Sequence, residues 1–243
     1  MSKATTALIK GDCIKALKKL KQESIDLIFA DPPYNLSGDN SLTVHSGKPV
    51  KCDKGMWDKI ENIHNFNFSW LKECKRVLKP TGTIWISGTL HNHPSIGVTL
   101  KELGFWIIND LIWFKPNATP LLSKNRFAPS TELIWVASKN KKYYFNYDLA
   151  KSTNNGKQMR NLWIMNAKRH ITPHPTEKPE ELLERIISIG SRKGDMVLDP
   201  FMGSGTSAVI SKRLLRDYIG IEISPEYIKL AKARLKKEKV ASI

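Results

Sequence analysis

The chain has 243 residues, with 39 lysines and arginines against 23 aspartates and glutamates, a formal charge of +16. Its 41% apolar and 9% aromatic content is that of a folded domain, and no run approaches the ~18 consecutive apolar residues of a membrane span. Met1-Ser2-Lys3-Ala4 opens no signal-like run, and Cys13, Cys52 and Cys74 lack disulfide or zinc spacing, so a metal-free protein of the reducing cytoplasm is expected.

Residues 13–21 carry helical spacing at Ile14, Leu17 and Leu20, and 25–30 read as a buried strand that stops at Asp31. Residues 35–60, rich in Gly, Ser, Asn and Lys, read as a long mobile loop. An amphipathic helix over 66–78 should be closed by Lys79-Pro80-Thr81-Gly82, with a core strand at 83–87 after it. A helix over 95–103 and an antiparallel strand pair at 105–114 and 131–137 come next. Beyond 170, Thr176 should cap a helix carrying Leu182, Leu183, Ile186 and Ile187. A strand at 196–198, a tight turn at 203–206, a helix over 207–215 and a strand at 218–221 complete the pattern. Such alternation predicts an α/β fold with a doubly wound, mixed, Rossmann-like sheet.

Residues 139–170 interrupt that pattern with eight bases and a single acid, Asp148, a local charge of +7 in 32 residues. Tyr143, Tyr144, Phe145, Tyr147 and Trp163 are interleaved with Asn146, Asn154, Asn155, Gln158 and Asn161. Bases to hold phosphates, rings to stack and amides to read base edges are the ingredients of a nucleic-acid surface. Lys141, Lys142, Lys157, Arg160, Lys168 and Arg169 are the candidate DNA contacts. A second cluster over 229–239 has helical spacing and reads as a solvated terminal helix face.

Two motifs sit at strand ends, where open α/β sheets bind ligands. In Asp31-Pro32-Pro33-Tyr34 the prolines fix the backbone and remove two donors, leaving carbonyl acceptors beside a carboxylate and a flat ring. Acceptors beside a stacking face suit the exocyclic amine of a planar base. Accepting both its hydrogens frees a lone pair otherwise delocalised into the ring. The same residues also form plain turns. In Asp199-Pro200-Phe201-Met202-Gly203-Ser204-Gly205-Thr206 a glycine-rich turn opens a helix, and Glu222 ends the next strand, where a carboxylate can take ribose hydroxyls. Gly203, Gly205 and Ala208 also fit a dinucleotide fingerprint. An acid at the strand end and no base in the turn favour a cationic nucleoside, S-adenosylmethionine, over NAD.

These motifs, in this order, resemble the DNA amino-methyltransferases of the permuted β class. The likeness runs through Gly11-Asp12-Cys13, Leu78-Lys79-Pro80-Thr81-Gly82, Ile112-Trp113, His174-Pro175-Thr176-Glu177-Lys178-Pro179 and Gly220-Ile221-Glu222. It extends, through Asp53-Lys54-Gly55 and Gly156-Lys157-Gln158-Met159, to the adenine-N6 enzymes of the DpnII and HinfI restriction systems. Glu177 departs from the family's more frequent Gln.

The resemblance implies methyl transfer to adenine N6 in DNA, with GATC as target and single strands among the substrates. It casts Asp31, Pro32 and Pro33 as the amine pocket, with Tyr34 stacking on a flipped base. Asp199, Pro200, Phe201, Gly203, Ser204, Gly205 and Thr206 would line the cofactor site, with Glu222 and Ile223 at its ribose. Asp12 and Cys13 would meet its adenine, and His174, Thr176 and Lys178 its methionine end. Residues 1–118 and 171–243 would form the catalytic domain and 119–170 the target-recognition segment. DNA is the expected partner, no membrane is, and a homodimer and a cognate restriction endonuclease are compatible with the family. The rival readings are cytosine-N4 methylation, disfavoured by Asp31 where that branch carries Ser, and RNA base methylation. A non-catalytic single-strand-binding module and a nicotinamide oxidoreductase stand further off.

Overall fold

In the computed structural model the described residues are 6–33, 41–43, 49–51, 60, 62–121, 124–167 and 177–238. In chain order the first elements are β1 (Thr6–Lys10), α1 (Cys13–Leu17), β2 (Ile25–Ala30), β3 (Ser41–Thr43) and β4 (Pro49–Lys51). Next come α2 (Ile63–Val77), β5 (Leu78–Gly88), α3 (His93–Glu102), β6 (Trp106–Phe114), β7 (Thr131–Ser138), α4 (Tyr147–Ser152) and β8 (Leu162–Ile164). The last are α5 (Glu180–Gly190), β9 (Met196–Asp199), α6 (Thr206–Arg213), β10 (Asp217–Glu222) and α7 (Pro225–Lys237).

Eight strands form one mixed sheet in the order β1-β10-β9-β2-β5-β7-β6-β8. The first five run parallel, β7 is antiparallel to both β5 and β6, and β8 is parallel to β6. β2 and β5 are buried on both faces. Ile28, Ala30, Ile84 and Ile86 pack with Trp70 and Leu71 of α2, while Leu27, Phe29 and Trp85 pack with Leu182, Leu183 and Ile186 of α5. Full burial of one such side chain stabilises by roughly 1.5–3 kcal/mol. α1, α2 and α3 therefore cover one face, and α5 and α6, with α7 beside α6, the other. Between β9 and β2 the connections switch faces, which opens a crevice at the carboxyl ends of those strands.

The doubly wound sheet stands as expected, with local corrections. α1 ends at Leu17 because the Arg76 guanidinium takes the Leu17 and Leu20 carbonyls at 2.8 and 2.9 Å. Lys79-Pro80-Thr81-Gly82 does follow the end of α2, but it already belongs to the next strand. α2 passes directly into β5, and the ladder shifts register between Ile25/Leu78 and Leu27/Thr83, so the proline sits in a bulge. α5 begins after Pro179, its N-cap, so Thr176 does not cap it. Of the loop expected at 35–60, residues 41–43 and 49–51 form a short antiparallel pair.

The segment 119–170 shares the main sheet. β7 lies inside it with Ile134 and Ala137 fully buried, and Trp163 on β8 packs against Trp85 at 6.2 Å. Among the described residues no helix is long and apolar enough to cross a membrane.

Candidate functional site

The crevice between β9 and β2 contains a cavity of about 200 Å³. Because β1, β10, β9 and β2 are parallel, their carboxyl ends bring Asp12, Glu222, Asp199 and Asp31 to one rim. Of the residues singled out from the sequence, Asp12, Cys13, Asp31, Pro32, Pro33, Lys178, Asp199, Pro200, Phe201, Gly203, Ser204, Thr206, Glu222 and Ile223 line this cavity. Gly205 stands one residue behind the lining. Tyr34, His174 and Thr176 lie outside the described residues, as do Lys168 and Arg169. Lys141, Lys142, Lys157 and Arg160 are exposed and stand apart from the cavity.

The turn between β9 and α6 is built from several directions. Gly205 has φ of +84°, and a Cβ there would stand 2.6 Å from that of Ala231. The buried Asp199 carboxylate accepts from Ser207 Oγ and from the Phe201 amide. Burial pushes its pKa up to about 7, against the pull of those two hydrogen bonds. Glu222 accepts from the Gly203 amide at 2.8 Å and the Ser224 amide at 2.7 Å, so its carboxylate shapes the turn as well as facing the cavity. Phe201 meets Trp70 edge-on at 5.2 Å, which fixes its ring at the cavity wall.

Arg234 of α7 is a further contributor. Its guanidinium donates to the Ser204 carbonyl, Ser204 Oγ and Thr206 Oγ1 at 3.0–3.1 Å and pairs with Glu177 at 2.7 Å. This corrects the reading of the terminal helix as merely solvated. The Glu177 side chain is itself buried, pairs with the partly exposed Arg234 and also accepts from Thr206 Oγ1 at 3.0 Å.

Asp31 lies directly beyond β2 on the other side of the cavity. The pocket is not made of acceptors alone, since Lys178 Nζ donates to Asp31 Oδ2 at 2.6 Å. Lys178 also pairs with Glu132 at 3.3 Å. Pro32 is buried, and the Pro33 carbonyl accepts from Asn92 Nδ2 at 3.4 Å. Asn92 in turn accepts from the Thr89 amide at 3.0 Å, tying the loop to the end of β5. Cys13 is buried beneath Asp12, and burial together with that carboxylate pushes its thiol up to about 12. Asp12 itself caps α1 through the Lys15 amide at 2.9 Å.

Several side chains of the basic segment serve the fold. Lys139 binds Glu23 at 2.7 Å, Arg192 lies 3.8 Å over the Tyr144 ring, and Asn146 caps α4. Asn154 donates to the Lys157 and Gln158 carbonyls, and Asn161 to the Asp110 carbonyl. Exposed among them are Lys141, Lys142, Lys157 and Arg160 with Phe145 and Tyr147.

Residues 25–233 match the family model of the DNA methylases, described as N6_N4_Mtase. The chain belongs to the DNA methylase family. This methylase is 48% identical over 241 residues to the Type II methyltransferase M2.DpnII of Streptococcus pneumoniae, covering 95% of this chain and 90% of that protein. It is 47% identical over 245 residues to M2.LlaDCHI of Lactococcus lactis subsp. cremoris, covering 97% of this chain and 91% of the relative. Its fold superimposes on M1.HpyAVI, solved in complex with SAM, with a TM-score of 0.71 at 31% identity over 95% of this chain and 99% of that one. The fold and the DNA methyltransferase class expected from the sequence both stand.

Proposed function

We propose that this methylase transfers the methyl group of S-adenosylmethionine to the N6 amine of adenine in DNA. The observation that carries the reading is that the Asp31-Pro32-Pro33 loop and the Asp199 to Thr206 turn open into one cavity. Among the described residues the cavity wall carries Asp12, Asp31, Glu177, Asp199 and Glu222 against Lys178, an acceptor set that suits a cationic ligand and disfavours a pyrophosphate. When bound, S-adenosylmethionine supplies a methyl group on positively charged sulfur. Asp199, Pro200, Phe201, Gly203, Ser204, Gly205 and Thr206 hold it. Glu222 and Ile223 would face its ribose, Asp12 and Cys13 its adenine, and His174, Thr176 and Lys178 its methionine end.

Asp31 and the Pro32 carbonyl accept the two hydrogens of the target amine, which draws the nitrogen towards tetrahedral geometry and exposes its lone pair. Tyr34 stacks on the extruded base, so that the amine reaches the cavity. The reaction is direct, without a covalent enzyme intermediate. The high pKa of the Cys13 thiol supports this, because a buried thiol of about 12 offers no thiolate nucleophile.

Residues 119–170 read the target, with Lys141, Lys142, Lys157, Arg160, Lys168 and Arg169 on phosphates, and 1–118 with 171–243 perform transfer. GATC, in duplex or single strands, is the target of this reading. A cytoplasmic location, a homodimer and a cognate restriction endonuclease belong to it too.

The test supplies labelled S-adenosylmethionine with single- and double-stranded oligonucleotides that contain or lack GATC, then digests the product to nucleosides. Label in N6-methyl-2′-deoxyadenosine is expected, and D31A abolishes it while cofactor affinity is retained. N4-methylcytosine as the labelled product, or full turnover by D31A, overturns the reading.

A further inference from the structure

The rim that carries Asp31 and Lys178 also carries Glu132 and Lys115, which have no direct part in the proposed transfer. Because β7 is antiparallel to β5 and to β6, it begins where both of them end, and Glu132 stands level with Trp113 of β6. Four groups of alternating sign follow one another there. Asp31 is 2.6 Å from Lys178, Lys178 is 3.3 Å from Glu132, and Glu132 is 3.1 Å from Lys115. All four side chains are at least four-fifths buried. Ser87 Oγ at the end of β5 donates to Glu132 Oε2 at 3.3 Å. Burial opposes the charge on Glu132, yet Lys178 and Lys115 outweigh it and bring its pKa down to about 2, so Glu132 is ionised at neutral pH.

We infer that Glu132 is a positioning residue for methyl transfer, holding Lys178 against Asp31 and cancelling the charge of that ammonium. The inference rests on Asp31 as the acceptor of the target amine. As the methyl group arrives, the N6–C bond forms while the S–C bond breaks with its electron pair left on sulfur. The nitrogen carries positive charge until its proton departs to water. A carboxylate beside that nitrogen stabilises the developing charge, whereas an uncompensated ammonium 2.6 Å from the same carboxylate opposes it. With Glu132 in place the Lys178–Glu132 pair is neutral as a whole. Lys178 then orients Asp31 through one oxygen without cancelling its charge. The effect of Glu132 on Asp31 is greatest as charge develops on the amine, so it falls on the rate of transfer more than on binding.

A purely structural ion pair, one that fastens the 177–179 stretch to the sheet, makes a different prediction. The experiment compares wild type, E132Q, K178M and E132Q/K178M in the full chain. It measures single-turnover transfer, dissociation constants for S-adenosylmethionine and for DNA, and thermal midpoints. E132Q is expected to lose on the order of 100-fold in the transfer rate with both dissociation constants within about twofold of wild type. Rates are compared at saturating S-adenosylmethionine because Lys178 also faces the cofactor; adding K178M removes the ammonium next to Asp31, and the double variant is expected to recover about tenfold over E132Q. An E132Q rate within about threefold of wild type, or a double variant no faster than E132Q, overturns the inference. Where E132Q does not fold, the neutral pair E132Q/K178M is compared with K178M. Equal rates support the inference, and a further loss overturns it. A D31A control separates the two readings. Full turnover by D31A removes the acceptor role and this inference with it, while an inactive D31A beside an unaffected E132Q removes only the inference.

Discussion

Arg234 Nη1 lies 2.7 Å from Glu177 Oε1, and the two side chains together close the back of the glycine turn. The pair joins the stretch before α5 to the last turn of α7, and the same guanidinium holds Ser204 and Thr206. Glu177 is only 5% exposed, so removing Arg234 takes the nearest cation from a carboxylate largely cut off from water and leaves it the hydrogen bond from Thr206 Oγ1.

R234A should therefore destabilise the fold by about 2–4 kcal/mol, towards the lower end of the cost of breaking a buried pair because Arg234 keeps some exposure. R234K should recover less than half of the loss, since a lysine cannot reproduce the planar fork that reaches Ser204, Thr206 and Glu177 together. Urea unfolding of the three proteins measures this. A change below about 0.5 kcal/mol, the range of ordinary surface substitutions, would show that the contact is incidental.

The glycine turn also predicts a steric outcome. G205A places a Cβ 2.6 Å from that of Ala231 at a φ of +84°, so both the backbone and α7 must give way. A loss of roughly 2–4 kcal/mol is expected, combining left-handed strain with overpacking. Affinity for S-adenosylmethionine should fall in the same variant, because the turn faces the cavity. Thermal unfolding and calorimetry would find otherwise if the turn tolerates a side chain.

How much of this was legible in the sequence follows from burial and from chain distance. β2 was read at its observed bounds because a central strand covered on both faces is an unbroken apolar run, and Asp31 and Asp199 stood out because each follows such a run. β1 and β8 are strands at the two sides of the sheet, and they went unread because one is of mixed exposure and the other only three residues long. Pro80 marks the end of α2 correctly, but the start of β5 at Leu78 is hidden because a bulge carries the proline within the strand. Lys178 stands out in its motif although its pairing with Asp31 and Glu132 does not, and Arg234 and Glu132 show the other limit. Each is one charge among many in a basic chain, and only the topology brings it to a partner far along the chain.

Asp199 makes stability depend on pH in a definite direction. Its folded pKa is raised from 3.8 to about 7 by burial, so the folded state holds the proton more tightly than the unfolded chain does. Its contribution is therefore greatest below pH 4 and is lost as pH rises to about 7. Glu132 acts oppositely at lower pH. Its folded pKa is depressed from 4.5 to about 2, so its contribution is present above pH 4.5 and lost as pH falls towards 2. D199N should flatten the stability profile between pH 4 and 7 relative to wild type while leaving the acid limb, and E132Q should do the reverse. Denaturant midpoints across pH 2–8 decide it, and parallel profiles for all three proteins would contradict both assignments.

The exposed bases of the recognition segment predict how DNA affinity responds to salt. Each phosphate contact releases condensed counterions, so the slope of log K against log salt should fall in magnitude by about 0.9 for every contact removed on duplex and about 0.7 on single strands. Lys142, Lys157 and Arg160 should each behave this way. Lys141 should lose more than charge, because its ammonium lies 5.0 Å over the Trp106 ring. K139A supplies the contrast. Lys139 is held by Glu23 and the Leu78 carbonyl, so its loss should lower stability and leave the salt slope unchanged. Titrations at several salt concentrations separate the two groups. If K142A, K157A and R160A all keep the wild-type slope, the positive charge of this segment does not serve DNA, and the phosphate contacts must be sought on another face.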